Sequence, residues 1–274
     1  MSQPQAKIVI IGGGPGGYEA ALVAASLGAA VTVIERDGLG GACVLTDCVP
    51  SKTLIASSAR MAALDASAAL GIQVGKGVTV DAPRLNARIR SLARAQSADV
   101  TARLATEGVT VIEGTGALAG PHTVVTGGRE LAADAVLIAT GAHPRVLPGA
   151  EPDGEKILTW RQLYDLPELP PELIVVGSGV TGAEFAGAYQ ALGSQVTLVS
   201  SRDRVLPHED KDAAIVIEGL FRRRGMNVLG RSRAQAVHRK GDSVVVTLSD
   251  GRTVTGSARS RGSRLMPGPA PRRR

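Results

Sequence analysis

Three features of the sequence predict an α/β fold of two doubly wound, three-layer domains, the second one incomplete. Residues 8–35, IVIIGGGPGGYEAALVAASLGAAVTVIE, recur as residues 173–200, LIVVGSGVTGAEFAGAYQALGSQVTLVS, at a constant offset of 165. Each copy reads as a short buried parallel strand, a glycine turn, an Ala-rich helix and a second strand. Aromatic residues make up only 2% of the 274 residues, so the core is expected to be built from Ala, Val, Leu and Ile, which suits helices packed tightly on a sheet.

The opening strand, residues 8–11, is a run of β-branched residues too short for a core helix. The turn after it carries Gly12, Gly14 and Gly17, matched in the second copy by Gly177, Gly179 and Gly182. In such a Gly-x-Gly-x-x-Gly turn the first glycine makes the tight bend, the second admits a pyrophosphate to the backbone, and the third packs helix against strand. The helix N-terminus behind it offers N–H groups and partial positive charge to the phosphates. Lying between a strand and a helix, and occurring twice, the motif reads as a Rossmann-like dinucleotide-binding unit. The second strands end differently. Glu35 stands 23 residues after Gly12, where a carboxylate can accept hydrogen bonds from the hydroxyls of an adenosine ribose. Its counterpart is Ser200, followed by Arg202 and Arg204, which removes repulsion against a ribose 2′-phosphate and inclines the second unit toward NADP(H). Ordinary solvated turn arginines are the alternative reading.

Between the repeats, residues 51–70 and 83–106 read as helices, and 109–112, 123–126 and 130–131 as strands, the last two turning at Gly127-Gly128. A Pro-punctuated segment, 148–171, marks a boundary between a first domain, 1–150, and a second, 151–256. The second copy carries its own hairpin over 244–256, with Asp250-Gly251 as its turn. Where an apolar strand is then due, residues 257–274 bring six Arg, three Pro and no acid, so they are expected to form a disordered basic tail.

That tail accounts for the whole net charge of +6, because residues 1–256 balance at 25 basic against 25 acidic side chains. No nucleic-acid partner is therefore expected of the body of the chain. The uncharged stretch 20–34 falls short of the ~20 residues of a bilayer span, and the N-terminus lacks a signal-peptide core. The expectation is a cytoplasmic protein without membrane insertion. Cys43 and Cys48 have no histidine beside them to complete a zinc site, so no metal is expected. Cys48 stands just before Pro50, at the positive end of the expected helix. A helix dipole of ~0.3–1 kcal/mol is too weak to make it a thiolate unaided. A redox or catalytic role for the pair leads over a structural one.

Taken in order, these motifs resemble those of the flavoprotein pyridine nucleotide-disulfide oxidoreductases. The resemblance rests on the first glycine turn with Glu35, the segment GGACVLTDCVPSK, the ATG at Ala139–Gly141 after AVLI, and the second glycine turn with Glu184. It covers residues 5 to about 256, and ILTWRQLYDL and ACVLTDCVPSK look most like the NAD(P)H-quinone dehydrogenase and dihydrolipoamide dehydrogenase branch. The resemblance implies FAD on the first unit, with Glu35 at its ribose and Gly141 closing the site, and NAD or NADP on the second. It further implies that Cys48 faces the flavin, that Cys43 exchanges with a substrate, and that Lys52 pairs with Glu184. Hydride would pass from NAD(P)H through FAD to a quinone or a disulfide acceptor, and the full-length form would be a homodimer.

Two departures qualify that expectation. Val44, Leu45, Thr46 and Asp47 replace the Asn and Gly usual between the cysteines, which favours direct transfer to a quinone over disulfide exchange. The family's later Gly-Asp motif and its His-x4-Glu acid–base pair have no counterpart, since His122, His143, His208 and His238 are followed five residues later by Gly127, Pro148, Ala213 and Ser243. A non-catalytic dinucleotide-binding remnant or redox sensor is the competing expectation.

Overall fold

The computed structural model describes residues 5–75, 77–144, 146, 148–241, 243–256 and 263–264. The chain divides into two compact units, residues 1–50 with 90–142, and residues 51–89 with 143–274. These bounds differ from the sequence-based 1–150 and 151–256, because residues 51–89 and 143–150 group with the second unit. The grouping has a physical cause: Leu54 and Ile89 are buried in one core with Leu173, Phe185 and Leu198.

The chain begins with β1 (Lys7–Ile11), α1 (Pro15–Ser26), β2 (Ala30–Glu35) and the short α2 (Gly41–Leu45). Next come α3 (Cys48–Ala66), a 3-10 turn at Ser67–Leu70, and α4 (Ala82–Thr106). The first unit is completed by β3 (Thr110–Glu113), β4 (Ala117–Gly120), β5 (Thr123–Thr126), β6 (Arg129–Ala132) and β7 (Ala135–Ile138). Its parallel sheet has the order β3-β2-β1-β7, and β4-β5-β6 form an antiparallel meander. Alternate residues of β1 feed opposite layers, as the two-residue period of a strand requires. Ile10 packs with Ala21 and Leu22 of α1 and Leu104 of α4, whereas Val9 and Ile11 pack with Val124 of the meander.

The second unit repeats the scheme. A 3-10 turn at Trp160–Asp165, capped by Thr159 and Gln162, leads into β8 (Glu172–Val176), α5 (Val180–Ala191) and β9 (Gln195–Val199). Then follow α6 (Lys211–Arg223), β10 (Asn227–Leu229), β11 (Ala234–Lys240), β12 (Ser243–Leu248), β13 (Thr253–Gly256) and β14 (Ser263–Arg264). Asp210 starts α6 by accepting the backbone N–H groups of Asp212 and Ala213, both at 3.0 Å. The parallel sheet runs β10-β9-β8-β14, and β11-β12-β13 form the meander. Leu173 and Val175 point into the helical layer with Ala183 and Ala186, and Ile174 and Val176 into the meander layer with Val246 and Leu248. Both units are thus three-layered Rossmann-type folds, as expected.

Three expectations change in detail. Helix α3 starts at Cys48 rather than after Pro50, which sits in its first turn, where a missing N–H costs nothing. The aliphatic core holds for the buried residues of the first unit and for the meander side of the second, whereas Trp160, Tyr164, Phe185, Tyr189 and Phe221 all join the helical-side core of the second. Most of the basic tail, 257–262 and 265–274, lies outside the described residues, but Ser263–Arg264 pair in parallel with β8, the place that β7 takes beside β1.

Candidate functional site: two glycine turns and a cysteine helix

The two glycine turns are built alike. Gly12 and Gly177 have φ of +105° and +107°, a left-handed bend that a side chain rarely adopts, and each donates its N–H at 2.8 Å to the end of the neighbouring strand, Ile34 O and Val199 O. Gly14 and Gly179 cap α1 and α5 with φ of −69° and −68°. At Gly17 and Gly182 a Cβ would collide with the carbonyl oxygen of Gly12 and Gly177 respectively, so the third glycine lets the helix close over the turn. A Cβ on Gly14, by contrast, would meet only the Cα of Gly41, at 3.9 Å. The entrance to the α1 N-terminus is therefore a cradle of bare backbone, which fits an approaching phosphate.

The first turn is buttressed by residues to which the sequence assigned no role. Gly40 donates its N–H to Gly13 O at 2.8 Å, and a Cβ on Gly41 would stand 2.8 Å from the Cα of Gly14. Ser97 of α4 holds the same loop through Leu39 O at 2.6 Å. Glu35 accepts three backbone N–H groups, from Gly13 at 2.6 Å, Arg36 at 2.8 Å and Asp37 at 2.7 Å, which fix its carboxylate beside the turn. Gly141 follows β7 with φ +69°, and the ATG segment reaches the turn through Ala139, whose carbonyl lies where a Gly12 Cβ would go.

In the second unit the position of Gly13 is taken by Ser178, and that of Glu35 by Ser200. Their hydroxyls hydrogen-bond at 2.6 Å, and Ser200, wholly buried, also receives the Arg202 N–H at 3.1 Å. Ser200 is therefore turned inward rather than toward solvent. The role of Ser178 is not legible in the sequence, because a serine inside a glycine motif carries no signal until its partner strand is known. The Arg202 side chain is exposed. Arg204 donates to Pro207 O at 3.3 Å, and its Nε is buried with no partner among the described residues. An orphaned guanidinium nitrogen beside a dinucleotide turn fits an anionic group of the ligand.

Cys43 sits half-buried in α2 and Cys48 exposed at the start of α3, and no disulfide joins them. The Tyr18 phenol is raised above its ordinary value, chiefly by burial, with Glu19 and Cys43 adding to the effect. Lys52, one turn into α3, donates from Nζ to Glu184 Oε1 of α5 at 2.6 Å, the pairing that the resemblance implied. With 60% of the lysine side chain and 23% of the glutamate exposed, such a pair contributes at most ~1 kcal/mol to stability. The described residues contain no cluster of metal-binding side chains and no helix long and apolar enough to cross a membrane.

Comparison with known proteins agrees with this geometry. Residues 6–258 match the pyridine nucleotide-disulphide oxidoreductase family. The chain is 53% identical over 266 residues to an NAD(P)H dehydrogenase (quinone) of Mycobacterium tuberculosis, covering 92% of this chain and 54% of that protein. It is 37% identical over 229 residues to a dihydrolipoyl dehydrogenase of Chlorobaculum tepidum, covering 82% and 49%. The crystal structure of LpdA from Mycobacterium tuberculosis superposes with a TM-score of 0.86 at 51% identity, over 95% of this chain and 58% of that one. The flavoprotein disulfide reductase RclA of Escherichia coli shares the fold alone, with a TM-score of 0.79 at 24% identity over 94% and 55%. The chain spans about half the length of the curated relatives it matches. With the glycine turn built twice, the cysteine helix between the copies and the Lys52–Glu184 pair all in the family's order, the chain belongs to the pyridine nucleotide-disulphide oxidoreductase family.

Proposed function

We propose that this chain binds FAD on its first glycine turn and NAD(P)H on its second, and serves an NAD(P)H oxidoreductase whose acceptor is a quinone. The observation that carries the reading is the duplication itself: two turns with φ matched within 2° at the first glycine, each capping a helix with bare backbone. In balance, NAD(P)H and one proton reduce the quinone to the hydroquinone and leave NAD(P)+. FAD, when bound, supplies two-electron storage between donor and acceptor.

The residues divide the work. Gly12, Gly14 and Gly17 receive the flavin pyrophosphate, Glu35 its ribose, and Gly141 leaves backbone free beside it. Gly177, Gly179 and Gly182 receive the nicotinamide dinucleotide. Ser200 acts by what it withholds, because a buried hydroxyl bonded to Ser178 leaves no carboxylate to repel a 2′-phosphate. Arg202 and Arg204 then favour NADPH, the orphaned Arg204 Nε being the supporting observation. Lys52 and Glu184 orient one another. Cys43 and Cys48 offer a second route, to a disulfide acceptor, which the replaced residues 44–47 make the lesser one.

The absorption spectrum of the purified chain, titrated with NADPH without oxygen, tests the proposal. A flavin spectrum bleached by NADPH and restored by a water-soluble quinone is expected. A chain that takes up no flavin when FAD is supplied in excess would overturn it.

A further inference from the structure

The loops that follow β9 and β10, residues 200–207 and 229–233, carry four arginines, Arg202, Arg204, Arg231 and Arg233, against one acid, Asp203. Arg202 and Arg231 are exposed, and neither has an ion-pair partner among the described residues. Their backbones are nonetheless joined, since Arg231 donates its N–H to Arg202 O at 2.7 Å. The loops touch closely enough that a Cβ on Gly230 would stand 3.1 Å from Asp203 O. Like charges on adjoining loops repel, so the fold gathers them at a cost that a bound anion would offset.

The two copies show how Arg231 comes to stand there. In the first unit Ile112 of β3 lies opposite Ile34 of β2, and the residue two places on, Gly114, donates to Glu35 O at 2.8 Å. In the second unit Leu229 lies opposite Val199, the counterpart of Ile34, but the donor to Ser200 O, at 2.7 Å, is Ser232, three places on. The second copy is one residue longer at this point, and an extra residue at a strand end bends the chain and re-aims a side chain. Arg231 takes a left-handed bend there, with φ +52°; among the described residues only Leu206 also combines a side chain with a positive φ. Glycine adopts that conformation without strain, and side chains kept in it gather at ligand clamps.

Resting on the NADPH reading above, we infer that Arg231 is a specificity-determining residue, which closes with Arg202 on the 2′-phosphate of the bound dinucleotide from a second loop. A phosphomonoester brings up to about two negative charges and three acceptor oxygens, more than one guanidinium matches. Ser200 acts behind the arginines as a positioning residue. Its hydroxyl accepts the Arg202 N–H at 3.1 Å and its carbonyl accepts the Ser232 N–H, so one buried residue, held by Ser178, sets both loops.

The test is calorimetric titration of the full chain with two probes, 2′,5′-ADP, which carries a 2′-phosphate, and 5′-AMP, which does not. The unaltered chain is expected to favour the first. Arg231→Gly is expected to lower the ratio of the two affinities ~10-fold, the worth of one lost charge-assisted hydrogen bond. Because glycine relieves the left-handed bend, the thermal midpoint of that variant is expected to stay level or rise. Arg233→Ala removes a charge from the same loop beyond the bend, and is expected to move the ratio less than about twofold. A stable Arg231→Gly chain with an unmoved ratio overturns the inference and leaves the NADPH reading standing. An equal loss from Arg233→Ala also overturns it, by showing a diffuse field in place of a contact. Equal affinity of the unaltered chain for both probes overturns the NADPH reading and the inference together.

Discussion

The two glycine units share a backbone and differ in what stands behind it. Phe185 and Tyr189 of α5 occupy the positions that Ala20 and Ala24 occupy on α1. In the second unit both rings are buried, Phe185 against Tyr164 at 5.8 Å between centroids, and Tyr189 donating its hydroxyl to Leu163 O at 3.0 Å. The Trp160–Asp165 turn is thus fastened over α5 by side chains that α1 lacks. In the first unit the same face is a cleft of about 820 Å³ lined by Ile8, Ile10, Ala20, Ala24 and Leu137. Phosphate recognition constrains the backbone turn and leaves the outer face of the helix free to diverge. Within about two helical turns of the same glycine motif, one copy carries a closed aromatic core and the other an open aliphatic groove.

That asymmetry is most directly broken at the rings. Phe185→Ala is expected to cost ~3–5 kcal/mol in urea unfolding, whereas Ala20→Phe, entering an open cleft, should cost less than ~1.5 kcal/mol. Similar losses from both would show that the first unit's face is closed in solution. The likeness of the turns is sharpened by Gly17→Ala and Gly182→Ala, each of which drives a Cβ into a carbonyl. Each should weaken its own nucleotide by ~100-fold or more, near 3 kcal/mol, and spare the other, as read by titration with FAD and with NADPH.

The strand ends give a smaller contrast. Glu35→Ala should weaken FAD by ~1.5–3 kcal/mol, while Arg204→Ala should reduce the ratio of NADPH to NADH affinity about 10-fold. A ratio unmoved by Arg204→Ala would assign the orphaned nitrogen to something other than the 2′-phosphate. The smallest effect belongs to Asp153, a clasp found in the second unit. Burial opposes its charge, but the N–H groups of Ile157, Glu155 and Lys156, with Arg239, hold its carboxyl below the usual range. A lowered folded-state value stabilises above the unfolded value near ~3.9 and is lost as pH falls through the folded one. Acid unfolding of Asp153→Asn should therefore lack that part of the decline.

What could be read from residues alone follows the range of the interaction. The glycine turns, Glu35 and the start of α3 are local, and their signals lie within a few residues. Lys52 with Glu184 was legible only through the family resemblance, since 132 residues separate them. Strand β4 was missed because Ala-Leu-Ala-Gly has no β-branched residue, its strand character coming from pairing with β5. Helix α6 carries a local start signal, the capping residue Asp210. The placement of residues 51–89 could not be read, because a helix pattern states which face is buried and not what buries it.

That placement bears on how the chain is made. Leu54 leaves the ribosome 131 residues before Phe185, the ring with which it shares a core. At ~5–20 residues per second, the apolar face of α3 waits roughly 7–26 s for its partners. The first unit is also interrupted, and becomes complete only when residue 142 has emerged. Synthesis order and spatial order are thus interleaved, so a nascent chain paused between residues 142 and 172 carries one finished unit and a helical segment with no core to enter. Such an intermediate is a natural client for a chaperone that binds exposed aliphatic helices.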